Sequence, residues 1–228
     1  MALRSAGSGK VCRDPVHHPL FARYYARLSV AAETRMGMAG VRERLLAGLS
    51  GRVIEIGAGN GLNFSHYPRT VSEVVAIEPE RRLRQLAVES ALRSEVPVDV
   101  VPGAAEALPV KSEAFDAVVI SLVLCSVREV PRALGEVRRV LRPGGVVRFF
   151  EHGRGGGPAM RFTQRALDRT LWPPLNGGCH LGRDPVAALR AAGFELGPYR
   201  RVSMPEKGPT LPTSFCVLGT AWRPPREG

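Results

Sequence analysis

GRVIEIGAGNG, residues 51–61, joins a short apolar run to three alternating glycines. The apolar run, residues 53–56, is typical of a buried central strand. Gly57, Gly59 and Gly61 let the backbone turn sharply where this strand ends, and they leave no Cβ between the backbone and a ligand. The segment therefore predicts a buried strand followed by a ligand-binding turn.

A second apolar run, residues 74–77, ends at Glu78. An acidic residue about 20 residues beyond a glycine turn can accept hydrogen bonds from both ribose hydroxyls of an adenosine. The NAD-binding turn follows the pattern G-x-G-x-x-G, whereas the last glycine of that pattern is replaced here by Leu62. A glycine-rich turn in another kind of α/β protein is the alternative that this pattern leaves open.

The order E-x-G-x-G-x-G, residues 55–61, resembles motif I of the class I S-adenosylmethionine-dependent methyltransferases. The resemblance implies S-adenosylmethionine as the cofactor and S-adenosylhomocysteine as its product. On the same grounds we expect the cofactor to contact Glu55, Gly57, Ala58, Gly59, Asn60, Asn63, Glu78, Pro79, Ala104, Ala105, Glu106, Ser121, Leu122 and Val123.

The segment GAAEALP, residues 103–109, resembles the G-D-A-E-x-L-P segment of small-molecule methyltransferases. In that family the Asp bonds to the amino group of adenine, and Ala104 stands in its place here. We therefore expect the adenine to be held by the Ala105 backbone with apolar packing, or by Glu106.

Helical periodicity covers residues 19–49 and is interrupted near residues 36–40. After the glycine turn, residues 62–67 are expected to open a helix whose N-terminal amides face the methionine carboxylate of the cofactor. Strands and helices then alternate to the end of the chain. Together with the resemblance, this order predicts an α/β fold: a Rossmann-like, seven-stranded, mostly parallel sheet with a reversed last strand, helices on both faces and an N-terminal helical lid.

The domain organisation follows from length and composition. Residues 1–11 are small and polar and are expected to be disordered. A chain of 228 residues is long enough for one α/β domain with a full core. We expect a single methyltransferase domain at residues 12–228, divided into a helical lid at 12–49 and a Rossmann-like core at 50–228.

No apolar run reaches the length of about 18 residues that a membrane span needs, and the polar N-terminus lacks the apolar stretch of a secretory signal. Cys12, Cys125, Cys179 and Cys216 are scattered and show no Cys/His metal spacing. We therefore expect a cytoplasmic protein with free thiols and no metal. The oligomeric state is left open.

The net charge of +11 raises the question of nucleic-acid binding. Lysine occurs only at Lys10, Lys111 and Lys207, and the arginines that carry the remaining charge are spread along the chain. The segment SLVL, residues 121–124, lacks the Asn/Asp-Pro-Pro-aromatic motif that amino-directed base methyltransferases usually carry. We therefore expect solvated helix faces and a small-molecule substrate rather than a nucleic acid.

Four further segments narrow the resemblance: SLVLCSV at 121–127, LRPGG at 141–145, FFEH at 149–152 and GGCHLGRD at 177–184. Together they are similar to the family that includes the membrane-associated alkyl thiol S-methyltransferases of animals and their bacterial relatives. The resemblance covers residues 53–194 and implies methyl transfer to a small lipophilic thiol. The main alternative is an O-, N- or C-methyltransferase of a quinone, phospholipid or natural product. A nucleic-acid methyltransferase and a non-catalytic module that binds S-adenosylmethionine are further alternatives.

His152, where the fifth predicted strand ends, is the first candidate for a general base, and His180 is the second. A purely structural histidine is the alternative for His152. A thiol attacks as the thiolate and needs little help from a base, and Glu151 is expected to orient a neighbour rather than to ionise the substrate. The expected substrate pocket consists of Tyr24, Tyr25, Leu124, Cys125, Glu151 and Cys179.

Overall fold

The computed structural model describes residues 19–206 and 209–226. The predicted disordered segment 1–11 and Cys12 lie outside these residues. The helices are α1 (Pro19–Arg35), α2 (Met38–Leu46), α3 (Arg81–Ala91), α4 (Val130–Val140), α5 (Pro158–Asp168), α6 (Trp172–Leu175) and α7 (Pro185–Ala191). The strands are β1 (Gly51–Ile56), β2 (Val71–Ile77), β3 (Val98–Val101), β4 (Phe115–Ser121), β5 (Leu141–His152), β6 (Glu195–Ser203) and β7 (Phe215–Trp222).

In the described part of the chain, the strands form one seven-stranded sheet in the order β3-β2-β1-β4-β5-β7-β6. The pairs from β3 to β5 are parallel, whereas β7 runs antiparallel to both of its neighbours, β5 and β6. The predicted mostly parallel sheet with a reversed last strand is therefore confirmed. The strand order reverses between β1 and β4, and ligands of open α/β sheets bind outside the carboxyl ends of the strands at such a point.

Helices cover both faces of the sheet, as predicted. Adjacent residues of β1 point into two different cores, because side chains alternate between the faces of a strand. Val53 packs in one core with Leu45 of α2, and Ile54 packs in the other with Leu134 of α4. The central strands are thus buried on both sides, and their carboxyl ends form a rigid edge for a site.

The two N-terminal helices are separated within the predicted break at residues 36–40. Gly37 lies between them with a positive φ of 72°, a backbone conformation that glycine adopts at little cost. Among the residues that the structure describes, no helix has the length and apolarity required to cross a bilayer.

The helix predicted for residues 62–67 is wrong, since only a short 3-10 helix, Phe64–His66, is found between β1 and β2. The side-chain amide of Asn63 and the hydroxyl of Tyr67 both donate hydrogen bonds to the carboxylate of Glu55 in β1. These side-chain bonds draw the segment into the core, and asparagine and aromatic residues have low helix propensity. The connection therefore supplies no helix N-terminus for a carboxylate.

Candidate functional site

The glycine turn begins where β1 ends and folds back against β2. The N–H groups of Gly57 and Ala58 both donate to the carbonyl oxygen of Ile77, at 2.8 and 3.0 Å. Gly57 and Gly59 have positive φ angles of 69° and 59°, which residues with a Cβ rarely adopt. A Cβ at Gly57 would lie 2.5 Å from Cγ2 of Val123. The turn is therefore closed against the loop that follows β4.

Glu78 follows β2 directly, and its carboxylate faces the same turn. Oε2 accepts a hydrogen bond from the N–H of Gly59 at 2.7 Å, and Oε1 accepts one from the N–H of Glu80 at 2.9 Å. Arg84 fixes the segment by donating to the carbonyl oxygens of Glu78 and Pro79. Burial raises the pKa of Glu78 to about 7, although both N–H bonds favour the charged form. Each carboxylate oxygen has a further lone pair with which to bind a ligand.

Glu55 and Asn63 were both predicted to contact the cofactor, but their side chains bond to each other beneath the turn. Oε1 of Glu55 accepts from Nδ2 of Asn63 at 2.8 Å, and Oε2 accepts from the hydroxyl of Tyr67 at 2.7 Å. Oδ1 of Asn63 accepts from the buried Arg42 at 2.6 Å. Burial raises the pKa of Glu55 to about 7. This network supports the turn from below, and contact of Glu55 or Asn63 with the cofactor stays a prediction.

The loop predicted to hold adenine lies between β3 and β4. Ala104 forms an isolated antiparallel bridge with Ala107, and Ala105 packs against the core that contains Ile54. Oε1 of Glu106 accepts a bond from the N–H of Arg128 at 2.9 Å. Glu106 therefore ties this loop to the segment that follows β4.

A fully buried carboxylate holds the loop after β4. Oε1 of Glu151 accepts from the N–H groups of Val123 and Leu124 at 2.7 and 2.9 Å, and Oε2 accepts from that of Cys125 at 3.2 Å. Burial raises the pKa of Glu151 to about 7, and the three N–H groups act in the opposite direction. With these contacts Glu151 positions the loop.

The backbone between β4 and this loop turns in an unusual way. β4 ends at Ser121, and Leu122 has a φ of 58°, which is uncommon for a residue with a side chain. The N–H of Leu122 donates to the carbonyl oxygen of Phe150 at 2.7 Å. Strained backbone of this kind concentrates at functional sites, and here it lies at the point where the strand order reverses.

Cys125, His152 and Cys179 come together from three separate segments. One side-chain atom of each lies within 4.8 Å of the other two, and Sγ of Cys179 is 3.4 Å from Nδ1 of His152. Hydrogen bonding to Cys125 and to His152 lowers the pKa of Cys179 to about 5, and burial opposes this shift. The contact with Cys179 and burial raise the pKa of Cys125. Burial lowers the pKa of His152 and the contact with Cys179 raises it, and the net shift of the pKa is upward. The cluster therefore favours a thiolate–imidazolium pair beside a neutral thiol.

The segment GGCHLGRD, residues 177–184, donates hydrogen bonds to the loop after β4. Nδ1 of His180 is 2.7 Å from the carbonyl oxygen two residues earlier, and its backbone N–H donates to the carbonyl oxygen of Cys125 at 2.8 Å. Nη1 of Arg183 donates to the carbonyl oxygens of Leu124 and Val127 at 2.6 and 2.7 Å. Both residues therefore fix the position of Cys125 and of its loop.

Helix α1 covers the glycine turn. A Cβ at Gly59 would lie 3.4 Å from Cε1 of Tyr25, and burial raises the pKa of Tyr25 to about 12. The amide of Asn60, which was predicted to contact the cofactor, donates to the hydroxyl of Ser29 in α1 at 3.1 Å. This contact fastens α1 to the turn, so Asn60 connects the lid to the core.

The same helix also contacts the GGCHLGRD segment. Phe21 stacks on Tyr25 with ring centroids 5.5 Å apart, and a Cβ at Gly177 would lie 2.6 Å from the ring of Phe21. Tyr24 was predicted to line the substrate pocket, but it is 57% exposed. The correction follows from helical geometry, because successive residues of a helix point in directions about 100° apart.

A cavity of about 160 Å³ opens beside the cysteine–histidine cluster. Its walls combine apolar side chains with a few polar ones: Leu124, Cys125, Val130, Glu151, His152, Arg183, Asp184, Pro185 and Ala188. Four of the residues predicted to act in substrate binding or catalysis therefore meet here, namely Leu124, Cys125, Glu151 and His152.

Comparison with known proteins decides the family. A family profile described as "Methyltransferase domain" matches residues 54–149. Thiol S-methyltransferase TMT1B of Homo sapiens is 32% identical over 181 residues, which represent 77% of this chain and 73% of that protein. The chain belongs to the class I S-adenosylmethionine-dependent methyltransferases.

Other members of the methyltransferase family differ in their acceptors. The ubiquinone/menaquinone biosynthesis C-methyltransferase UbiE of Syntrophotalea carbinolica is 31% identical over 196 residues, covering 78% of this chain and 81% of that protein.

Among solved structures, a putative methyltransferase from Bacillus halodurans has a TM-score of 0.65 at 18% identity, covering 80% of this chain and 97% of that one. A possible histamine N-methyltransferase from Thermotoga maritima has a TM-score of 0.64 at 22% identity, covering 90% and 98%. The structural likenesses support the fold.

S-adenosylmethionine is therefore the cofactor, and the carboxyl edge of β1 and β2 fits it. The turn at Gly57 and Gly59 exposes backbone without a Cβ, and Glu78 retains lone pairs for ribose hydroxyls. The contacts of individual residues with the cofactor remain predictions. When bound, the cofactor supplies a methyl group that its sulfonium already activates for in-line displacement.

Some residues of the site were missed by the sequence analysis. Arg183 stands in the GGCHLGRD segment that carried the resemblance, so a signal for it was present. Arg42 and Tyr67, which complete the network around Glu55, carried no such signal, because their role appears only when three segments meet. The cluster of Cys125 with its two partners was missed for the same reason.

Proposed function

We propose that this methyltransferase transfers a methyl group to the sulfur of a small, lipophilic thiol. The similarity to thiol S-methyltransferase TMT1B over 77% of this chain supports the choice of acceptor. The apolar part of the cavity wall, which includes Leu124, Val130 and Ala188, suits an alkyl group.

The observation that carries the proposal is the charge around the cavity. Both carboxylates of its described lining are engaged: Glu151 accepts three backbone N–H bonds, and Asp184 accepts the N–H of Ala187 at 3.0 Å. Arg183, which also lines the cavity, supplies positive charge. A thiol ionises near a pKa of about 8.5 and needs nearby positive charge more than a strong base. The cavity therefore suits a thiolate.

The chain's own residues have three tasks in this reaction. They hold the acceptor in line with the methyl group, they favour its ionised form, and Tyr25 with Phe21 of α1 covers the site against water. The acceptor thiol loses its proton to solvent, and its sulfur bonds to the methyl carbon. The carbon–sulfonium bond breaks with its electron pair remaining on S-adenosylhomocysteine.

A quinone C-methyltransferase is the second candidate, because the UbiE relative is matched over 81% of its length. Carbon methylation requires removal of a ring proton, so a base would have to face the acceptor. His152 is the residue of the cavity that could take this role, and it would have to be neutral to do so.

The experiment is a methyl-transfer assay on matched acceptors: hexanethiol, hexylamine, a hexyl-substituted phenol and a reduced naphthoquinone. Products are identified by mass spectrometry. We expect methylation of the thiol, with a rate that rises with pH until the substrate thiol is ionised. The Gly59→Arg variant serves as the control that lacks a usable cofactor site.

Transfer to the reduced naphthoquinone, the phenol or the amine, with none to the thiol, would reject the proposal. In that case the acceptor class that is methylated replaces it. A rate with hexanethiol that is independent of pH below its pKa would also contradict a thiolate nucleophile.

A further inference from the structure

Cys125, His152 and Cys179 bring three soft donor atoms together on three different segments: the loop after β4, the end of β5 and the segment after α6. These atoms lie within 4.8 Å of one another, and Sγ of Cys179 is 3.4 Å from Nδ1 of His152. Zinc binds sulfur at about 2.3 Å and imidazole nitrogen at about 2.0 Å, so tetrahedral ligand atoms stand roughly 3.5–3.8 Å apart. Small side-chain adjustments would therefore place all three atoms around one ion.

The segments that carry the three side chains are fixed by further contacts. The loop of Cys125 is held by Glu151 on its N–H and by the backbone N–H of His180 on its carbonyl oxygen. Supporting contacts of this kind orient the ligands of metal sites. The indole N–H of Trp172 is buried and has no hydrogen-bond acceptor among the described residues.

We infer that Cys125, His152 and Cys179 bind one zinc ion and leave its fourth position open to the sulfur of the acceptor thiol. Two cysteines and a histidine are the donor set that zinc prefers, and sites with three protein ligands are those that keep a position for substrate. Cys125 and His152 both line the cavity, so the open position faces the space in which the acceptor is proposed to bind.

A disulfide or an acid–base pair would use only two of these three side chains. A disulfide would join Cys125 to Cys179 and leave the imidazole of His152 without a partner. An acid–base pair would use His152 and Cys179 and leave the buried Cys125 unused. A divalent ion uses all three, and two thiolates neutralise its charge, which favours the ion in a buried place.

The substrate part of this inference rests on the proposed thiol function. A thiol bound at the open position loses its proton to solvent at lower pH, because a metal ion favours the thiolate. Its sulfur then forms the bond to the methyl carbon as described above. The metal part of the inference stands on the ligand geometry alone.

The first experiment measures metal binding without turnover. The full chain is stripped with a chelator and titrated with Co²⁺, and Zn²⁺ is then used to displace it. We expect one Co²⁺ per chain, with the visible bands of a tetrahedral site and a thiolate charge-transfer band that Zn²⁺ abolishes. Cys179→Ser and Cys125→Ser should each weaken binding at least 100-fold, since even outer residues of metal sites change affinity about 10–100-fold.

Cys216→Ser is the matched control, because Cys216 is also a buried, free cysteine but lies outside the cluster. It should bind Co²⁺ as the unchanged protein does. Circular dichroism of all variants checks that they fold. Absence of a thiolate band in the folded unchanged protein, or equal bands in Cys179→Ser, would overturn the metal site.

The second experiment separates the metal site from the proposed function. Hexanethiol is added to the Co²⁺ protein, and we expect a stronger thiolate band because a third sulfur enters the coordination sphere. If the spectrum of the bound Co²⁺ does not change when hexanethiol is added, the inference that the fourth position is open to the acceptor thiol is overturned. Methylation of hexanethiol at full rate by the metal-free protein would overturn the metal's role and leave the thiol function intact. A stable metal site in a protein that methylates only the reduced naphthoquinone would reject the thiol function and, with it, the substrate part.

Discussion

Two buried glutamates stand at the carboxyl ends of strands, Glu78 after β2 and Glu151 near the end of β5. Each accepts N–H groups from the loop after the neighbouring strand, Glu78 from Gly59 and Glu151 from residues 123–125. Glu78 accepts two backbone bonds and is 5% exposed, whereas Glu151 accepts three and is 0% exposed. Since an ionised carboxylate offers about four lone-pair sites, Glu78 keeps more spare acceptor capacity than Glu151, although both stand at strand ends. We therefore expect Glu78, rather than Glu151, to bind a ligand.

The two halves of the candidate site differ in how far apart their residues lie in the chain. The cofactor half is built from short contiguous segments around Gly57 and Glu78. The proposed acceptor half joins Cys125, His152 and Cys179, which are far apart in the chain. A change in the first half should therefore act on cofactor binding, and a change in the second should act on loop position and on the acceptor.

The largest expected effect concerns the glycine turn. Gly59→Arg places a side chain at a φ of 59° and towards Tyr25, which is 3.4 Å from a Cβ there. We expect no detectable S-adenosylmethionine binding in calorimetry. Gly135→Arg is the control, because Gly135 of α4 has open space around its Cβ position, and it should bind normally. Normal binding by Gly59→Arg would place the cofactor elsewhere.

The second effect concerns the loop-holding glutamate. Glu151→Ala leaves the N–H groups of residues 123–125 without their acceptor, and an unpaired buried donor costs about 1–3 kcal/mol. Removing the burial cost of the carboxyl group offsets part of this loss. We expect the free energy of unfolding to fall by about 3 kcal/mol in urea titrations. Glu106→Ala, which removes a single backbone contact, should cost less than about 1 kcal/mol. Equal losses would mean that Glu151 does not hold the loop.

The sequence was sufficient to predict most of the fold and the identity of the cofactor. Apolar runs and glycine spacing are local, so β1, β2 and the turn at Gly57 could be placed without the structure. The helix expected at residues 62–67 was wrong because Asn63 and Tyr67 bond to Glu55. Local propensity contains no information on such a tertiary contact.

The acceptor half was less accessible to prediction. Tyr24 and Tyr25 are neighbours on one helix, and only the orientation of α1 decides that Tyr25 is half-buried while Tyr24 is exposed. The approach of Cys179 to His152 depends on how the segment after α6 returns to the sheet. No spacing rule for metal ligands covers residues this far apart.

The third effect is a pH dependence of the free energy of unfolding, which reports on Glu55 in the network beneath the turn. The pKa of Glu55 is about 7 in the folded protein against 4.5 for the ordinary group. Because the folded state binds the proton more tightly, this group stabilises the fold below pH 4.5, and the contribution is lost as the pH rises to about 7. Between pH 5 and 7 the loss is about 2 kcal/mol.

Glu55→Gln tests this, since glutamine can still bond to Asn63 and Tyr67 but does not titrate. We expect the difference in unfolding free energy between pH 5 and pH 7 to change by about 2 kcal/mol relative to the unchanged protein. Urea titrations at both pH values measure it. Other titrating groups cancel in this difference, so parallel pH profiles for the two proteins would show that Glu55 is charged throughout.

The smallest effect separates Glu78 from Glu106, the two carboxylates expected to contact the adenosine. Glu78→Ala removes an acceptor with spare lone pairs, and a hydrogen bond to a charged group is worth about 1.5–3 kcal/mol. Because burial raises the pKa of Glu78 to about 7, the group is only partly charged at neutral pH, and we expect the lower end, about tenfold weaker binding of S-adenosylmethionine. Glu106→Ala should change the dissociation constant less.

At pH 8 the carboxyl group of Glu78 is more fully ionised, so the difference in affinity between the two variants should widen, and at pH 6 it should narrow. A loss of structure alone would not follow this pH trend. Calorimetry at the three pH values measures it, and equal dissociation constants for the two variants would remove Glu78 from the ribose site.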